Sequence, residues 1–259
     1  MKIGFIGCGN MGGALARAAV GEILLYDKNG DAASALAKEI GAAVKSRACE
    51  LAESSELVFL GVKPNIIPSV VAEIKEAVRC GSVLVSMAAG VTISSIESAL
   101  GFEAPVIRIM PNTPASVGEG MILVTKNSAV TDEMLESFLL AMRGAGRFDL
   151  IDERLIDAAS AVSGCGPAFV YMFIEALADG GVKCGLPRDK ALLYAEATVR
   201  GAAALALSSC KNPGALKDAV CSPGGTTIEG VMALEEGAFR GAVMSAVAAA
   251  YEKTLKIGK

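Results

Sequence analysis

Histidine is absent from this chain of 259 residues. The side chain that enzymes use most often for proton transfer, and a common metal ligand, is therefore not available. Cysteines stand singly at positions 8, 49, 80, 165, 184, 210 and 221, without a C-x-x-C pair. That spacing fits neither a disulfide scaffold nor a zinc site. Any proton transfer must use other groups, and no metal site is expected.

Runs of Lys and Arg are also missing, and the formal net charge is -4. Nucleic acids and anionic membranes bind through basic patches, so neither is expected as a partner. Hydrophobic residues make up 53% of the chain, yet no uncharged run is longer than Ala158 to Ile174, which is shorter than a typical membrane span and contains Gly164-Cys165-Gly166-Pro167. Burial between subunits explains this apolar excess better.

The N-terminal sequence MKIGFIGCGN enters a strand and a glycine turn directly. This leaves no room for a signal peptide, and we predict a cytoplasmic protein.

Residues 1–151 alternate strand-like and helix-like patterns. Strands separated by helix-length segments need crossover connections, which predicts a mostly parallel sheet with helices on both faces. The strand-like runs are IGFIG from Ile3, ILLY from Ile23, LVFLG from Leu57, SVLVS from Ser82, VIRIM from Val106, Met121 to Val124 and Arg147 to Leu150, with a helix near Asp132 to Met142 before the last.

Residues 152–259 contain no strand-like run and are predicted to be all helical. Helix boundaries are marked at Gly166-Pro167, at Gly185-Leu186-Pro187 and at Asn212-Pro213. The chain is thus predicted to be an α/β domain followed by an all-α domain.

The sequence Gly7-Cys8-Gly9-Asn10-Met11-Gly12 follows the first strand and opens a helix. In that context G-x-G-x-x-G predicts a Rossmann-type, doubly wound domain that binds a dinucleotide, with the pyrophosphate at the helix N-terminus. The predicted cofactor-binding residues here are Ile6, Gly7, Cys8, Gly9, Asn10, Met11 and Gly12.

Asp27 closes the second strand, about 20 residues after the glycine motif. An acidic side chain at this offset binds a ribose 2′-hydroxyl and repels a 2′-phosphate, which favours NADH. Lys28 is the neighbouring residue and offers a compensating charge. The alternative is a solvated turn Asp beside a turn Lys.

The segment Leu216 to Gly230, LKDAVCSPGGTTIEG, predicts a binding site for a small carboxylate. Pro223 and Gly224-Gly225 shape a turn before a helix that begins at Thr226 or Thr227, where backbone amides attract an anion. The Ser222 and Thr227 hydroxyls each donate and accept hydrogen bonds. An N-capped turn without a ligand is the alternative.

This segment resembles the signature of pyrroline-5-carboxylate reductases, which make proline by reducing a cyclic imine. Further similar blocks span nearly the whole chain: GFIGCGNMGGAL from Gly4, VKPNIIP from Val62, AAGVTISSIE from Ala88, MPNTPA from Met110, SGCGPA from Ser163 and ALADGGVKCGLPR from Ala176. The resemblance implies that residues 1–151 bind the dinucleotide. It implies further that residues 152–259 form a dimerisation and substrate domain with C-terminal helices interleaved between two subunits.

The resemblance also implies site roles. Ser222 and the amides of Gly225 and Thr226 hold the substrate carboxylate, the Thr227 hydroxyl bonds the ring nitrogen, and Glu153 lies at a substrate position. Ser222 and Thr227 are thus the catalytic residues. A helix N-terminal carboxylate is an equal alternative for Glu153. Lys217 and Asp218 are more simply a structural ion pair. The resemblance implies, finally, that the cofactor is lined by Val62, Lys63, Pro64, Ala88 and Ala89.

The similar β-hydroxyacid dehydrogenases carry a catalytic lysine at the position of Val170. A ketone needs an acid for its developing alkoxide, whereas a protonated imine already carries the charge that hydride neutralises. The lack of both His and this Lys therefore fits an imine substrate.

Pyrroline-5-carboxylate reductases mostly use NADPH, so Asp27 departs from the family pattern, and the cofactor stays open between NADP(H) and NAD(H). Two alternative functions also stay open. One is an NAD(P)H-dependent reductase of another small cyclic imine or oxo acid, and the other is a dinucleotide-binding sensor without catalysis.

Overall fold

The computed structural model describes residues 1–79 and 81–256. These residues pack as two compact units: the first contains Met1–Cys165 and the residues from Ala250 onward, and the second contains Gly166–Ala249. Cys80, one of the seven cysteines, lies outside the described residues. The units are described separately below.

The first unit is built on an eight-stranded sheet in the order β3-β2-β1-β4-β5-β6-β7-β8. Neighbouring strands are parallel except for the antiparallel pair β6 and β7. The mostly parallel sheet predicted from the sequence is therefore confirmed. Its strands are β1 (Lys2–Ile6), β2 (Glu22–Tyr26), β3 (Ala43–Val44), β4 (Leu57–Leu60), β5 (Val83–Ser86), β6 (Val106–Met110), β7 (Gly120–Lys126) and β8 (Gly146–Leu150).

Seven α-helices connect or follow these strands, with short 3-10 turns at Pro64–Ile66, Thr113–Val117 and Arg143–Ala145. The α-helices are α1 (Asn10–Ala18), α2 (Gly30–Ile40), α3 (Ala48–Glu53), α4 (Ile67–Arg79), α5 (Ile93–Leu100), α6 (Asp132–Ala141) and α7 (Glu153–Ser163).

Two apolar cores lie on the two faces of the sheet, because successive strand residues point to opposite sides. Phe5 and Phe59 belong to the core that includes side chains of α1, α2 and α6. Ile6 and Leu60 belong to the core that includes α3, α4 and α5. With both faces covered, the glycine turn and the other loops at the strand ends remain at the edge of the sheet.

Strand β3 is the element that the hydrophobic pattern did not indicate. It has two residues, both exposed, and pairs only with Leu24 and Leu25 of β2 within the described chain. Periodicity cannot identify so short a strand, because its existence depends on pairing with a neighbour rather than on its own side chains.

The second unit is helical, as predicted. It contains α8 (Gly166–Lys183), α9 (Arg188–Ser209), α10 (Pro213–Ala219), α11 (Thr226–Glu236) and most of α12 (Phe239–Thr254). Helix α8 begins at the predicted Gly166-Pro167, and Asn212 caps α10 through its side chain, which accepts from the Gly214 N–H at 2.8 Å. The glycine and proline signals therefore located these ends correctly.

Large apolar side chains on this unit are exposed within one chain. Met172 on α8 is 70% exposed, Leu207 on α9 is 71% exposed and Met244 on α12 is 67% exposed. A soluble monomer rarely exposes so much contiguous apolar surface, which marks an interaction surface.

Among the described residues, one helical stretch, Glu153–Lys183, has the length and apolar composition of a membrane span, with a window of mean hydropathy 1.4 that is 11% buried. Length and composition do not distinguish a span from a helix that a second subunit covers. Exposed apolar side chains also occur on α9, α11 and α12 of the same unit.

Candidate active site

The predicted dinucleotide turn lies between β1 and α1. Gly7 has a φ of 105°, and its N–H donates to the Tyr26 carbonyl at 2.8 Å. A Cβ on Gly7 would lie 2.5 Å from the Gly61 carbonyl oxygen, and one on Gly12 would lie 2.2 Å from the Gly7 carbonyl oxygen. Both positions therefore require glycine, one for its backbone conformation and both for close backbone packing.

Gly9 differs from these two glycines, because a Cβ there would meet no atom within 4 Å. Gly9 is the N-cap of α1, and no side chain caps that end. The first N–H groups of a helix have no intrahelical acceptor and favour an anion. Open space above Gly9 beside an uncapped helix start is the arrangement that a pyrophosphate needs, so these residues fit a dinucleotide.

Asp27 is bonded to this turn. Its Oδ2 accepts from the Cys8 N–H at 2.7 Å, and its Oδ1 accepts from the Asn29 N–H at 2.8 Å. Burial, and then the Asp27 charge, raise the pKa of the Cys8 thiol to about 11. Cys8 is therefore a protonated thiol near neutral pH, not a nucleophile.

The other predicted cofactor-lining residues follow β4 and β5. Lys63 is exposed and Val62 and Pro64 are half-buried just after β4, whereas Ala88 is buried and Ala89 half-buried just after β5. Because β1, β4 and β5 are parallel neighbours, their carboxyl ends meet at one edge of the sheet. That edge is where doubly wound sheets bind their ligands.

Glu153 lies in a charged cluster of the first unit. Its Oε1 accepts from the Arg108 Nη1 at 3.0 Å and from the Ile93 N–H at 2.9 Å, while Arg108 Nη2 donates to Asp157 at 3.1 Å. Arg108 is 1% exposed. Glu153 therefore has a structural task, holding a buried guanidinium and the start of α5, and its role at the substrate stays a prediction.

The sequence analysis did not single out Arg108 or Asp157. A signal for them was present, since Arg108 interrupts the apolar run VIRIM of β6, and Asp157 follows Glu153 by one helical turn. A charge inside a buried strand requires partners of opposite charge.

The predicted substrate loop lies in the second unit. Gly224 has a φ of 65°, the Gly225 N–H donates to the Ser222 carbonyl at 3.0 Å, and α11 begins at Thr226 with Gly225 as its N-cap. A Cβ on Gly225 would lie 2.2 Å from Ser222 Oγ, so the serine hydroxyl lies directly beside the start of α11.

This geometry places the Ser222 hydroxyl beside the start of α11, which contains Thr226 and Thr227. In the part of the chain that the structure describes, the Ser222 and Thr227 side chains form no hydrogen bond, and the start of α11 has no side-chain cap. The Gly225 N–H, which was expected to hold the substrate carboxylate, donates instead to the Ser222 carbonyl within the turn, so the open donors are the Thr226 and Thr227 N–H groups. The loop is thus equipped for an anion.

Lys217 and Asp218 pair with each other, with Lys217 Nζ 2.6 Å from Asp218 Oδ1. This hydrogen bond and the Asp218 charge raise the pKa of Lys217. The contact agrees with the structural ion pair preferred from the sequence.

An apolar groove of about 1040 Å³ lies within the second unit and includes Thr227 in its wall. Helices α8, α9, α11 and α12 form it, and its large side chains include Phe169, Phe173, Tyr194, Val231 and Phe239. Over residues 1–79 and 81–256, no group of three or more Cys, Asp or Glu side chains is arranged to hold a metal ion.

The fold and the glycine turn are those of a dinucleotide-binding protein, and the family comparisons identify the class as oxidoreductases. Residues 2–90 match the family described as NADP oxidoreductase, coenzyme F420-dependent. Residues 153–257 match the family described as pyrroline-5-carboxylate reductase dimerisation.

Relatives that match over their full length identify the family within this class. The chain is 44% identical to the pyrroline-5-carboxylate reductase of Escherichia coli, covering 100% of this chain and 98% of the relative. It is 40% identical to the Pisum sativum pyrroline-5-carboxylate reductase, covering 98% and 95% of the two chains. The chain belongs to the pyrroline-5-carboxylate reductase family.

Solved structures agree with this assignment. The Plasmodium falciparum pyrroline carboxylate reductase with NADP bound has a TM-score of 0.89 and 34% identity, covering 100% of this chain and 98% of that one. The Coxiella burnetii pyrroline-5-carboxylate reductase has a TM-score of 0.90 and 32% identity, covering 99% and 98%. The chain is therefore an NAD(P)H-dependent oxidoreductase with a Rossmann-type domain and a helical dimerisation domain.

Proposed function

We propose that this protein reduces 1-pyrroline-5-carboxylate to L-proline with NADH or NADPH, the last step of proline biosynthesis. The observation that carries the proposal is the loop from Ser222 to Thr227, with two unpaired hydroxyls beside an uncapped helix start. Such a loop suits a small carboxylate with an adjacent ring nitrogen. End-to-end similarity to reductases of this name supports the same substrate.

The chemistry is addition of hydride to the carbon of a protonated C=N bond. The π electron pair moves to nitrogen, which keeps its proton, and the positive charge is neutralised. A bound nicotinamide dinucleotide supplies the hydride. No acid is needed to protonate a developing alkoxide, which agrees with a chain that has no histidine and has Val170 where similar dehydrogenases have lysine.

The protein's own residues bind and orient the substrate. Ser222 Oγ and the Thr226 N–H hold the carboxylate, with Gly225 permitting the approach of the serine hydroxyl, and the Thr227 hydroxyl accepts from or donates to the ring nitrogen. Fixing a small ring at two points removes its rotational freedom before reaction, which is a large part of what an enzyme supplies.

The assembly that we propose is a cytoplasmic homodimer or larger homo-oligomer, without a nucleic acid or membrane partner. A second copy of the second unit covers the exposed apolar helices, since the chain matches a dimerisation family over residues 153–257. The domain boundary at 151/152 is likewise a proposal. In the structure, α7 belongs to the first unit, where its Ile156 packs against Met110 and Leu123.

The carboxylate assignment is tested with 1-pyrroline, which keeps the imine and lacks the carboxylate. We expect kcat/KM to fall at least roughly a hundredfold relative to pyrroline-5-carboxylate, because charge-assisted hydrogen bonds to the carboxylate are lost. Ser222→Ala should reduce that difference between the two substrates. Equal turnover of both compounds by the parent enzyme contradicts the assignment.

A further inference from the structure

The loop between β5 and α5, residues 87–92, contains Ala88 and Ala89, which are predicted to line the cofactor. Its own hydrogen bonds are long: the Ala88 N–H donates to Ser86 Oγ at 3.5 Å, and the Val91 N–H donates to the Ala88 carbonyl at 3.4 Å. Protein N–H···O bonds are most often about 2.9 to 3.0 Å long, so these two hold the loop weakly. The loop therefore depends on contacts from other elements.

A side chain of α7 fixes the end of this loop. Ile93 is the first residue of α5, and its N–H donates to Glu153 Oε1 at 2.9 Å. Thr92 caps the same helix, with its hydroxyl accepting from the Ser95 N–H at 3.2 Å. Because the Ile93 N–H has no acceptor within its own helix, the Glu153 carboxylate determines where the loop joins α5.

Arg108 holds that carboxylate in place. Its Nη1 donates to the same Glu153 Oε1 at 3.0 Å, and its Nη2 donates to Asp157 Oδ1 at 3.1 Å. The Arg108 side chain is 2% exposed, whereas those of Glu153 and Asp157 are 30% and 29% exposed. A guanidinium presents its donors in a rigid planar fork, so a carboxylate bound to it has little freedom to rotate.

Folding stability does not account for an arginine at this position. Every residue of β6 is buried, and Arg108 Nε has no hydrogen-bond partner within the described chain. A buried donor without a partner is unfavourable, and replacing a buried ion cluster by apolar side chains of similar volume is often neutral or stabilising. The cluster is better explained by what it holds, which is the start of α5 and the loop before it.

We infer that Arg108 is a positioning residue for the cofactor: through Glu153 it keeps residues 87–92 in the conformation that binds the dinucleotide. This inference rests on the proposed function, since the dinucleotide is the cofactor of that reaction. It gives Glu153 a task separate from its predicted contact with the substrate. A loop that adopts the binding conformation only part of the time weakens the apparent affinity by that fraction.

The test is equilibrium binding of NADH and NADPH to the full chain without substrate, by fluorescence titration, with thermal unfolding of each variant measured alongside. Arg108→Met keeps an unbranched side chain without donors and should raise the dinucleotide Kd roughly tenfold. Glu153→Ala removes the acceptor of the Ile93 N–H and should have the same effect. Because both changes act on one loop, the double variant should bind no more than about threefold more weakly than either single variant.

Two further variants separate positioning from stability. Glu153→Gln keeps an oxygen acceptor for the Ile93 N–H and should leave the dinucleotide Kd within about threefold of the parent. Asp157→Ala removes a partner of Arg108 but no contact of the loop. It should lower the unfolding temperature as Glu153→Ala does, because a buried charge loses a partner, while Kd stays within about threefold of the parent.

An unchanged dinucleotide Kd in Arg108→Met and Glu153→Ala would overturn the inference and leave the cluster as a stabilising contact alone. Equal increases in Kd for Asp157→Ala and Glu153→Ala would also overturn it, since lost stability would then explain both. If Arg108→Met does not fold, the contrast between Glu153→Ala and Glu153→Gln decides in the same way. Dinucleotide binding by the parent without reduction of pyrroline-5-carboxylate would contradict the proposed function alone, because the Kd ratios that test the loop need no turnover.

Discussion

Replacement of Thr227 by alanine is expected to lower kcat/KM for pyrroline-5-carboxylate roughly ten- to a hundredfold, while the affinity for NAD(P)H stays within about twofold. The Thr227 hydroxyl forms no hydrogen bond within the described chain and lies at the start of α11, in the wall of the apolar groove. Losing one hydrogen bond to a substrate nitrogen costs about 1 to 3 kcal/mol. Steady-state kinetics combined with dinucleotide titration measures both quantities.

Thr226→Ala is the matched variant for this measurement. Thr226 precedes Thr227 on the same helix turn, and its assigned group is the backbone N–H, which alanine retains. Its effect on kcat/KM should therefore be clearly smaller than that of Thr227→Ala. Equal effects of the two variants would mean that alanine disturbs the helix start, and unchanged kinetics of Thr227→Ala would remove this hydroxyl from the site.

The second large effect is expected at the exposed apolar surface of the helical unit. Met172→Glu should weaken the homodimer roughly a thousandfold, to monomer or insoluble protein at micromolar concentration. Met172 is 70% exposed within one chain, so the change costs a monomer little. Burying an unpaired carboxylate in a subunit interface costs about 4 kcal/mol. Light scattering coupled to size-exclusion chromatography measures the mass.

Leu140→Glu is the control for this change, because it also replaces an exposed apolar side chain by a carboxylate. Leu140 is 61% exposed and lies on α6 of the first unit. It should leave the mass unaltered. A Met172→Glu dimer as stable as the parent would exclude this face from the interface, and a monomeric, fully active parent would contradict the dimer proposal as a whole.

Much of the fold was predictable from the sequence because its signals are local. Gly7, Gly12 and the β-branched runs predicted the sheet and the dinucleotide turn, and Gly166-Pro167 and Asn212-Pro213 marked helix starts that the structure has at those residues. The two-residue strand β3 was not predictable, because Ala43 and Val44 form a strand only through pairing with β2.

The sequence predicted which residues lie in the candidate site, but it did not predict which hydrogen bonds they form. The sequence places Ser222, Gly225 and Thr227 in one loop, but only the structure shows that the Gly225 N–H is used by the Ser222 carbonyl. The contacts of Glu153 depend on Arg108, which lies 45 residues away in the chain. Hydrogen bonds of that sequence separation follow from the tertiary fold, so no local pattern indicates them.

The central claim is tested most directly by measuring NADH and NADPH oxidation with the purified protein, with and without pyrroline-5-carboxylate, while quantifying proline. We expect oxidation only when pyrroline-5-carboxylate is present, with one L-proline formed per dinucleotide oxidised. Tight dinucleotide binding without any turnover, or faster oxidation with another imine or oxo acid than with pyrroline-5-carboxylate, would contradict the account.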